Sequence, residues 1–410
     1  MAAAGAPVTN RSYREVLRHR GVAGLLAGDL LAGAGTGMLL VAMPVQTLAI
    51  HGSVPRAVAI GLVAASPFIL STILASVIGL GRAGVAPRTL LIADCVLRAV
   101  TFTTLGLLAV TDRLTLPVLL AGLLFGSLFR LAGSSSRRLL ATSMAGDEGR
   151  FAVNGLLGLN MSVALYVVGP VLGGIVVASA GAGVALLADA AGALILLVAT
   201  LVSVPRGDAG RGVPRRGVAG ESGWRILRRR PVAARLLIVV FFFNFFYMPI
   251  EVALPLYVRG SLDAGASALG LLWGALGAGA FVGAALVNQL RNLPQRHLLI
   301  AIIGLWGMCP IALALTGDLT VAMIVFGLGG LVWAPFTPVA YSFVQSGLEP
   351  DEHQPVVTLW TTGATVAAPL GLLAGGPLVE LAGVTGGLVL SGVLTLLLLP
   401  IAAVAVLRRD

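Results

Sequence analysis

The sequence contains no lysine and few charged residues of any kind. Only 11% of its 410 residues are charged, and all 27 basic residues are arginine. A soluble domain carries roughly a quarter charged residues, so the composition excludes an ordinary soluble protein. Without lysine the nucleotide-binding motif G-x-x-x-x-G-K-[ST] cannot occur, which excludes ATP-driven machinery of that type.

Cysteine and histidine are also scarce. The two cysteines, Cys95 and Cys309, lie in separate apolar stretches, so no disulfide framework is indicated. The four histidines are scattered and have no metal-ligand spacing, and no catalytic triad is recognisable. We therefore expect neither an enzyme nor a protein that carries a metal or other cofactor.

Apolar residues, by contrast, make up 58% of the chain. They come in blocks of roughly 20 residues, the length that a helix needs to cross a hydrocarbon core of ~30 Å, and the short alternating strands of a membrane barrel are absent. The sequence predicts an all-α membrane protein with twelve transmembrane helices, near 22–49, 57–79, 89–110, 116–136, 152–178, 182–203, 236–258, 267–289, 297–316, 319–345, 356–381 and 384–407.

The arginines predict the orientation. With both termini in the cytoplasm, 22 of the 27 fall on inner segments, and the outer loops hold only Arg56, Arg113 and Arg259. This is the positive-inside pattern, and it predicts a multi-pass protein of the cell (inner) membrane. The net charge of +10 then reflects topology and attraction to anionic lipid, so the lipid bilayer, and not nucleic acid, is the expected partner.

The chain repeats itself. Residues 16–23 read VLRHRGVA and residues 226–233 read ILRRRPVA, each just before a group of six spans. Gly61 recurs as Gly270, and the pairs at 173–174 and 375–376 also match. Because six spans is an even number, both groups start on the same side of the membrane. The sequence therefore predicts two parallel six-helix repeats, 1–203 and 236–410, separated by a cytoplasmic linker with an interfacial helix at 204–235.

Two parallel six-helix halves resemble the major facilitator superfamily of transporters. The segment GPVLGG, with Gly169, Pro170, Gly173 and Gly174, is similar to the glycine-proline antiporter motif of its drug and metabolite exporters. DCVLRA at 94–99 and RFAVNGLL at 150–157 resemble its macrolide and siderophore exporters, and Arg130 resembles the superfamily's buried arginine of the fourth span. The loop GLGRAGVAPR, with Arg82, lacks the Asp of the superfamily's cytoplasmic latch.

Six charged residues lie inside predicted spans and away from their ends, where a charge costs ~2.5–3.5 kcal/mol and marks a functional candidate. Asp94 and Arg98 are four residues apart on one helix face and can form an ion pair. Asp29 and Arg130 lie at a similar depth, roughly 10 Å from the inner face at about 1.5 Å per residue, so they are predicted to form a second pair. Either pair could be purely structural.

Two acids, Glu251 and Asp189, then have no predicted partner. Burial favours the neutral form of a carboxyl group, so an unpaired buried acid is suited to binding and releasing a proton. Glu251 is the first proton-coupling candidate, because the resemblance to the superfamily implies that the first helix of each half lines the cavity. Asp29, which could exchange its contact with Arg130 for a proton or a substrate, and Asp189 are the other candidates. The alternative for each is a hydrogen-bonded acid with a structural role.

Polar residues within the spans are candidates for the wall of a substrate cavity, although interhelical hydrogen bonds would explain each of them equally well. They are Asn244, Tyr247, Gln46, Asn160 and Tyr166.

These features together predict a monomeric exporter of a small organic compound, a drug or a metabolite, that works by proton antiport with alternating access. An importer or facilitator of the same fold is one alternative, and a membrane scaffold without transport activity is another.

Overall fold

The computed structural model describes residues 11–79, 85–205, 222–290, 293–349 and 351–407. All regular structure in these ranges is helical. A π-helical segment, Met161–Val168, lies within the predicted fifth span. The α-helices are α1 (Tyr13–Leu17), α2 (Arg20–Ile50), α3 (Arg56–Gly79), α4 (Pro87–Val110), α5 (Leu116–Gly126), α6 (Arg130–Asn160), α7 (Gly169–Ala180), α8 (Ala182–Ser203), α9 (Gly223–Arg229), α10 (Pro231–Gly260), α11 (Ala266–Leu290), α12 (Gln295–Ala314), α13 (Leu319–Trp333), α14 (Phe336–Ser346), α15 (His353–Leu396) and α16 (Leu398–Leu407).

The predicted helical fold with twelve spans is confirmed in the described residues. Ten helical runs are long and apolar enough to cross a membrane, and two of them, of 65 and 52 residues, are each long enough for two spans. The first is broken at Gly146 (φ 71°) and the second at Gly383 (φ 74°). Positive φ is a conformation that glycine adopts without steric cost, so each break is a reversal of chain direction between two spans.

The repeated basic phrase forms the same structure twice, a short helix followed at once by a long one. The break between α1 and α2 lies at His19, whose Nδ1 accepts a hydrogen bond from the Val22 N–H at 3.3 Å. The break between α9 and α10 lies at Arg230. Val16 and Ile226 are each 2% exposed, so an apolar side chain docks each short helix. We call the membrane face that bears α1 and α9 the linker side and the opposite face the far side.

Arg230 also ties α10 to the turn before α15. Its Nη2 lies 3.2 Å from Glu349 Oε1 and 3.0 Å from Glu352 Oε2. Burial works against the charged form of Glu352, but the Glu349 N–H and the Arg230 guanidinium outweigh it and hold the pKa of Glu352 below its usual range. The first span of the second half is therefore anchored at its linker-side end.

Two spans at corresponding places in the repeats are broken near the middle. The fourth span consists of α5 and α6, interrupted at residues 127–129, and the tenth consists of α13 and α14, interrupted at Ala334 and Pro335. Discontinuous helices at matching positions of two repeats are a known feature of transporters. The fourth span also extends well beyond the predicted residue 136, because α6 remains helical up to the reversal at Gly146.

The recurring glycines meet each other across the two halves. A Cβ on Gly61 of α3 would lie 2.6 Å from the Leu372 carbonyl oxygen and 3.3 Å from the backbone of Gly376 in α15. A Cβ on Gly174 of α7 would lie 3.3 Å from the Cα of Gly270 in α11. Small residues let helix backbones approach this closely, so the repeated glycines correspond to two related contacts between the halves.

Two hydrogen bonds join the halves at the same level. Glu380 Oε2 accepts a hydrogen bond from the Ala57 N–H at 3.1 Å, and Ser267 Oγ donates to the Gly174 carbonyl oxygen at 3.4 Å. These contacts, like those of the recurring glycines, lie toward the far-side ends of α3, α7, α11 and α15. The halves are therefore closely joined on the far side.

Two sequence predictions fall largely outside the described ranges. Arg82, in the loop that lacks the latch Asp, is outside them, whereas Arg88 donates from Nε to the Val204 carbonyl oxygen at 3.3 Å. Half of the predicted linker, residues 206–221, is also outside them. The domain boundaries at 203 and 236 remain a prediction, and α10 begins before the second of them, at Pro231.

The contact between α11 and α13 gives a test of the packing within the second half. A Cβ on Gly279 would overlap the carbonyl oxygen of Gly327. Gly279→Ala should therefore lower the thermal midpoint of the detergent-purified protein, because overpacking costs about 1–3 kcal/mol. Gly158→Ala is the matched control, since no described atom beyond its own turns of helix lies within 4 Å of its added Cβ. Equal midpoints for the two variants would contradict the packing.

Candidate functional site

A cavity of ≈ 240 Å³ lies in the middle of the bundle. The first half supplies most of its described wall, and the second half contributes Glu251 from α10 and Trp273 from α11. The wall is mostly apolar. Its charged side chains are Asp94, Arg98, Arg130 and Glu251. These four residues and Tyr166, which also lines the cavity, were all candidates from the sequence.

Arg98 forms a buried ion pair with Asp189. Its Nε donates to Asp189 Oδ2 at 2.8 Å, its Nη2 contacts the other carboxylate oxygen, and the same Nη2 donates to Thr36 Oγ1. Asp189 is 0% exposed. The prediction that Asp189 lacks a partner is wrong, and so is the pairing of Arg98 with Asp94. Arg98 instead reaches α8, where a two-pronged contact satisfies both carboxylate oxygens.

Asp29 pairs with a different arginine from the predicted one. Arg137 Nη1 lies 2.8 Å from Asp29 Oδ1, and Asn160 Nδ2 donates to Asp29 Oδ2 at 3.0 Å. The predicted pair with Arg130 is therefore wrong. The depth estimate assumed that the fourth span ended at residue 136, but α6 continues, and Arg137 lies about two turns nearer the linker side than Arg130. Asn160 supports this ion pair and does not line the cavity.

Arg130 begins α6 immediately after the break in the fourth span. Its guanidinium carbon lies 4.5 Å from the centroid of the Phe68 ring, a cation–π contact. It forms no ion pair within 4 Å with any described residue, although Asp94 and Glu251 are within electrostatic range. Asp94 packs against Gly133, where a Cβ would lie 2.6 Å from the Cβ of Asp94. Glycine at 133 therefore makes room for this carboxylate beside the cavity.

Glu251 is the acid that the second half contributes to the cavity. It forms no ion pair with any described residue, and Arg130 approaches it from the other half. Tyr247 lies beside the Glu251 carboxyl group but is itself buried, with its ring 5.4 Å from that of Trp306 and 5.8 Å from that of Trp333. Tyr247 thus packs beside Glu251 on the side away from the cavity and does not line the cavity itself.

Tyr166 lines the cavity from the π-helical segment. Pro170 has no N–H to donate to the Tyr166 carbonyl oxygen four residues earlier, and its ring would crowd that oxygen in a regular helix. The helix before Pro170 is correspondingly widened, and π-helical turns are frequent at functional sites. The Tyr166 carbonyl oxygen lies against Gly277 of α11, where a Cβ would overlap it. Pro170 and Gly277 together set the position of Tyr166.

The glycines of the GPVLGG segment lie at helix contacts. A Cβ on Gly169 would lie 2.6 Å from the Cα of Gly37, and one on Gly173 would lie 2.7 Å from the Cα of Met38, so both glycines face α2. Gly174 faces α11 in the other half. The segment therefore packs one helix against spans of both halves.

Two predicted cavity residues lie elsewhere. Asn244 Nδ2 donates to the Val240 carbonyl oxygen of its own helix at 2.8 Å, and Gln46 is half-buried; neither lines the cavity. Conversely, Phe68 and Trp273 line the cavity and were not predicted to do so. An apolar side chain in an apolar span carries no sequence signal that distinguishes a cavity from lipid or core.

Comparison with known proteins identifies the family. Residues 16–409 match the family model described as transmembrane secretion effector. The chain is 30% identical over 379 residues to the multidrug efflux pump Tap of Mycolicibacterium fortuitum, covering 88% of this chain and 89% of that protein. It is 26% identical over 370 residues to Tap of Mycobacterium tuberculosis, covering 88% and 87%.

Solved structures share the fold at low identity. The nucleoside transporter NupG superimposes with a TM-score of 0.73 at 12% identity, covering 94% of this chain and 97% of that one. A bacterial homologue of the human lysosomal transporter Spinster, in an inward-facing occupied conformation, superimposes with a TM-score of 0.70 at 16% identity, covering 97% of each chain.

The pairing of Arg98 can be measured by double-mutant cycles. Asp189→Asn should strongly destabilise the protein, because it leaves a buried arginine without its counter-charge, a change that costs about 3–5 kcal/mol. Combining it with Arg98→Gln should give a coupling energy of roughly 0.5–3 kcal/mol in unfolding measurements. A cycle of Asp94→Asn with Arg98→Gln is the control, and an equal or larger coupling there would contradict the observed pairing.

Proposed function

The chain belongs to the transmembrane secretion effector family of the major facilitator superfamily, and we propose that it exports small organic compounds in exchange for protons. The protein is a multi-pass membrane transporter, and its family is one of transporters and not of enzymes. The multidrug efflux pumps that resemble it along most of their length support export as the direction and a drug or metabolite as the cargo.

The observation that carries the proton-coupled part of the proposal is the position of Glu251. It is an acid on the wall of a central cavity, without an ion pair to any described residue. Burial disfavours the charged form of a carboxyl group, so a change in hydration or in the distance to Arg130 changes its proton affinity. Asp29 and Asp189, the other coupling candidates, are each neutralised by an arginine, which favours a structural role for them.

Arg130 is the natural counterpart of Glu251. It belongs to the first half and Glu251 to the second, so movement of one half against the other changes their separation. When Glu251 is ionised, its attraction to Arg130 favours the arrangement that brings the halves together at the cavity. Protonation removes that attraction and releases the halves. A proton and a cationic compound would compete for the same carboxylate, which is the requirement for antiport.

The far-side contacts support alternating access. Glu380 and Ser267 hydrogen-bond across the halves on that side, and the arginine pattern indicates that the linker side is cytoplasmic. The structure would then correspond to a state closed to the outside. The cavity, at ≈ 240 Å³, is smaller than the 300–1,000 Å³ of typical small-molecule sites, so a drug-sized compound would require the halves to separate further.

Glu251→Gln tests the coupling, because glutamine mimics the neutral acid permanently. In proteoliposomes with an imposed pH gradient, the wild-type protein should drive a hydrophobic fluorescent cation against its concentration gradient, and Glu251→Gln should lose this uphill transport. Glu148→Gln makes the same chemical change at an exposed site outside the cavity and should transport normally. Uphill transport by Glu251→Gln would remove this residue from the mechanism, and wild-type transport that ignores the pH gradient would remove proton coupling.

An importer or facilitator with this fold remains the alternative, and the same assay distinguishes it. An antiporter moves the cation opposite to the proton flow, a proton-coupled importer moves it with the protons, and a facilitator only dissipates its gradient. Likeness to the nucleoside transporter concerns the fold alone at 12% identity, so it does not favour this alternative.

Cysteine labelling tests the orientation. Arg113→Cys lies on the far side and Asp147→Cys on the linker side, and both positions are exposed. In intact cells, a membrane-impermeant maleimide should label Arg113→Cys, and Asp147→Cys only after the cells are opened. The unsubstituted protein is the blank, since Cys95 and Cys309 are both buried. The reverse labelling pattern would place the termini outside.

A further inference from the structure

A second recess lies at the lipid-facing surface of the second half, between α9, α10 and α15. It has a volume of ≈ 620 Å³ and shares no lining residue with the central cavity. Its described wall is almost wholly apolar, with Leu237, Phe241 and Phe242 on α10 and Leu359 on α15. We call this recess the α9 groove.

The α9 groove has one charged side chain on its described wall, Arg228, on the short helix that lies at the membrane surface. Arg228 forms no ion pair with any described residue, whereas Arg230 is already occupied by two glutamates. Trp224, also on the wall, is 64% exposed, as is typical of aromatic side chains at the headgroup level. The surface end of the groove is therefore cationic and amphipathic.

The groove is deep enough for an acyl chain. Phe242 lies eleven residues after Pro231, the first residue of α10, which corresponds to about 16 Å along a helix. Half of a typical hydrocarbon core is ~15 Å. The groove thus extends from the headgroup region to about the middle of the bilayer, with its positive charge at the surface end and aromatic rings at the deep end.

From this arrangement we propose that the α9 groove binds an anionic phospholipid of the linker-side leaflet. One acyl chain lies along α10 and α15, and the phosphate-bearing headgroup contacts Arg228. Basic recesses beside membrane helices on the cytoplasmic side are suited to acidic headgroups. The site is separate from the transport cavity, so the proposal does not depend on the function proposed above.

Trp224 provides a direct measurement. The full-length protein is reconstituted in nanodiscs, and the fluorescence of Trp224 is quenched with phosphatidylglycerol or phosphatidylcholine that carry the same brominated chains. Trp224→Phe supplies the background from the other tryptophans. Phosphatidylglycerol should bind about fivefold more tightly than phosphatidylcholine, the factor that one arginine near an anionic surface supplies.

Two variants separate the headgroup from the chain. Arg228→Gln should abolish the preference for phosphatidylglycerol, whereas Arg138→Gln, an equal loss of charge at an exposed linker-side position of α6, should keep it. Gly363→Leu should weaken the quenching by both lipids, because Gly363 lines the groove and the nearest atom to an added Cβ is 3.9 Å away. Gly158→Leu, which also points into open space, should have no effect.

Two results would overturn the proposal. Equal quenching by the two lipids would mean that the groove is only part of the surface that ordinary lipid covers. If, in addition, a hydrophobic cation displaced both lipids, the groove would be a site for transported compounds. A preference for phosphatidylglycerol that survives in Arg228→Gln would mean that other charges attract the lipid.

Discussion

The structure depends on how the charges inside the membrane are neutralised. Each ionised group costs ~2.5–3.5 kcal/mol on insertion into the membrane, because the hydrocarbon core has no water to solvate the charge. Asp189 with Arg98 and Asp29 with Arg137 form ion pairs within the first half. Asp94, Arg130 and Glu251 have no such partner among the described residues and face the same cavity. The pairing therefore separates charges that hold helices together from unpaired charges on the cavity wall, and the proposed proton coupling relies on the latter.

Irregular backbone places two of the polar side chains on the cavity wall. Arg130 enters the cavity because the fourth span breaks directly before it, and Tyr166 does so from the widened helix before Pro170. The Tyr166 carbonyl oxygen packs against the backbone of Gly277, which has no side chain in the way. Non-helical or widened backbone is tolerated at membrane depth only where protein or a cavity surrounds it. The same features that weaken regular helix structure therefore mark the position of the cavity.

The sequence predicts the architecture well and the pairing of charges poorly, for a physical reason. The number of apolar spans and the recurrence of Gly61 as Gly270 are properties of single segments or of two aligned segments, and the structure agrees with both. Which arginine pairs with Asp29 depends on where the fourth span ends within α6 and on how α2, α4 and α6 pack against one another. Spacing alone suggests a pair between Arg98 and Asp94, but the long side chain of Arg98 reaches Asp189 on the neighbouring helix α8. Phe68 and Trp273 gave no signal, because apolar residues look alike in lipid, core and cavity.

The unequal contributions of the two halves bear on how a transport cycle can be coupled. The first half supplies nearly all of the described cavity wall and three of its charges, and the second half supplies Glu251. A rocking motion leaves the ion pair between Arg98 and Asp189 unchanged, because both residues belong to the half that moves as one. It does change the distance from Arg130 to Glu251. Of the acids on the described wall, Glu251 is therefore the one whose proton affinity would change in the proposed cycle, and a proton gradient would act on the halves through it.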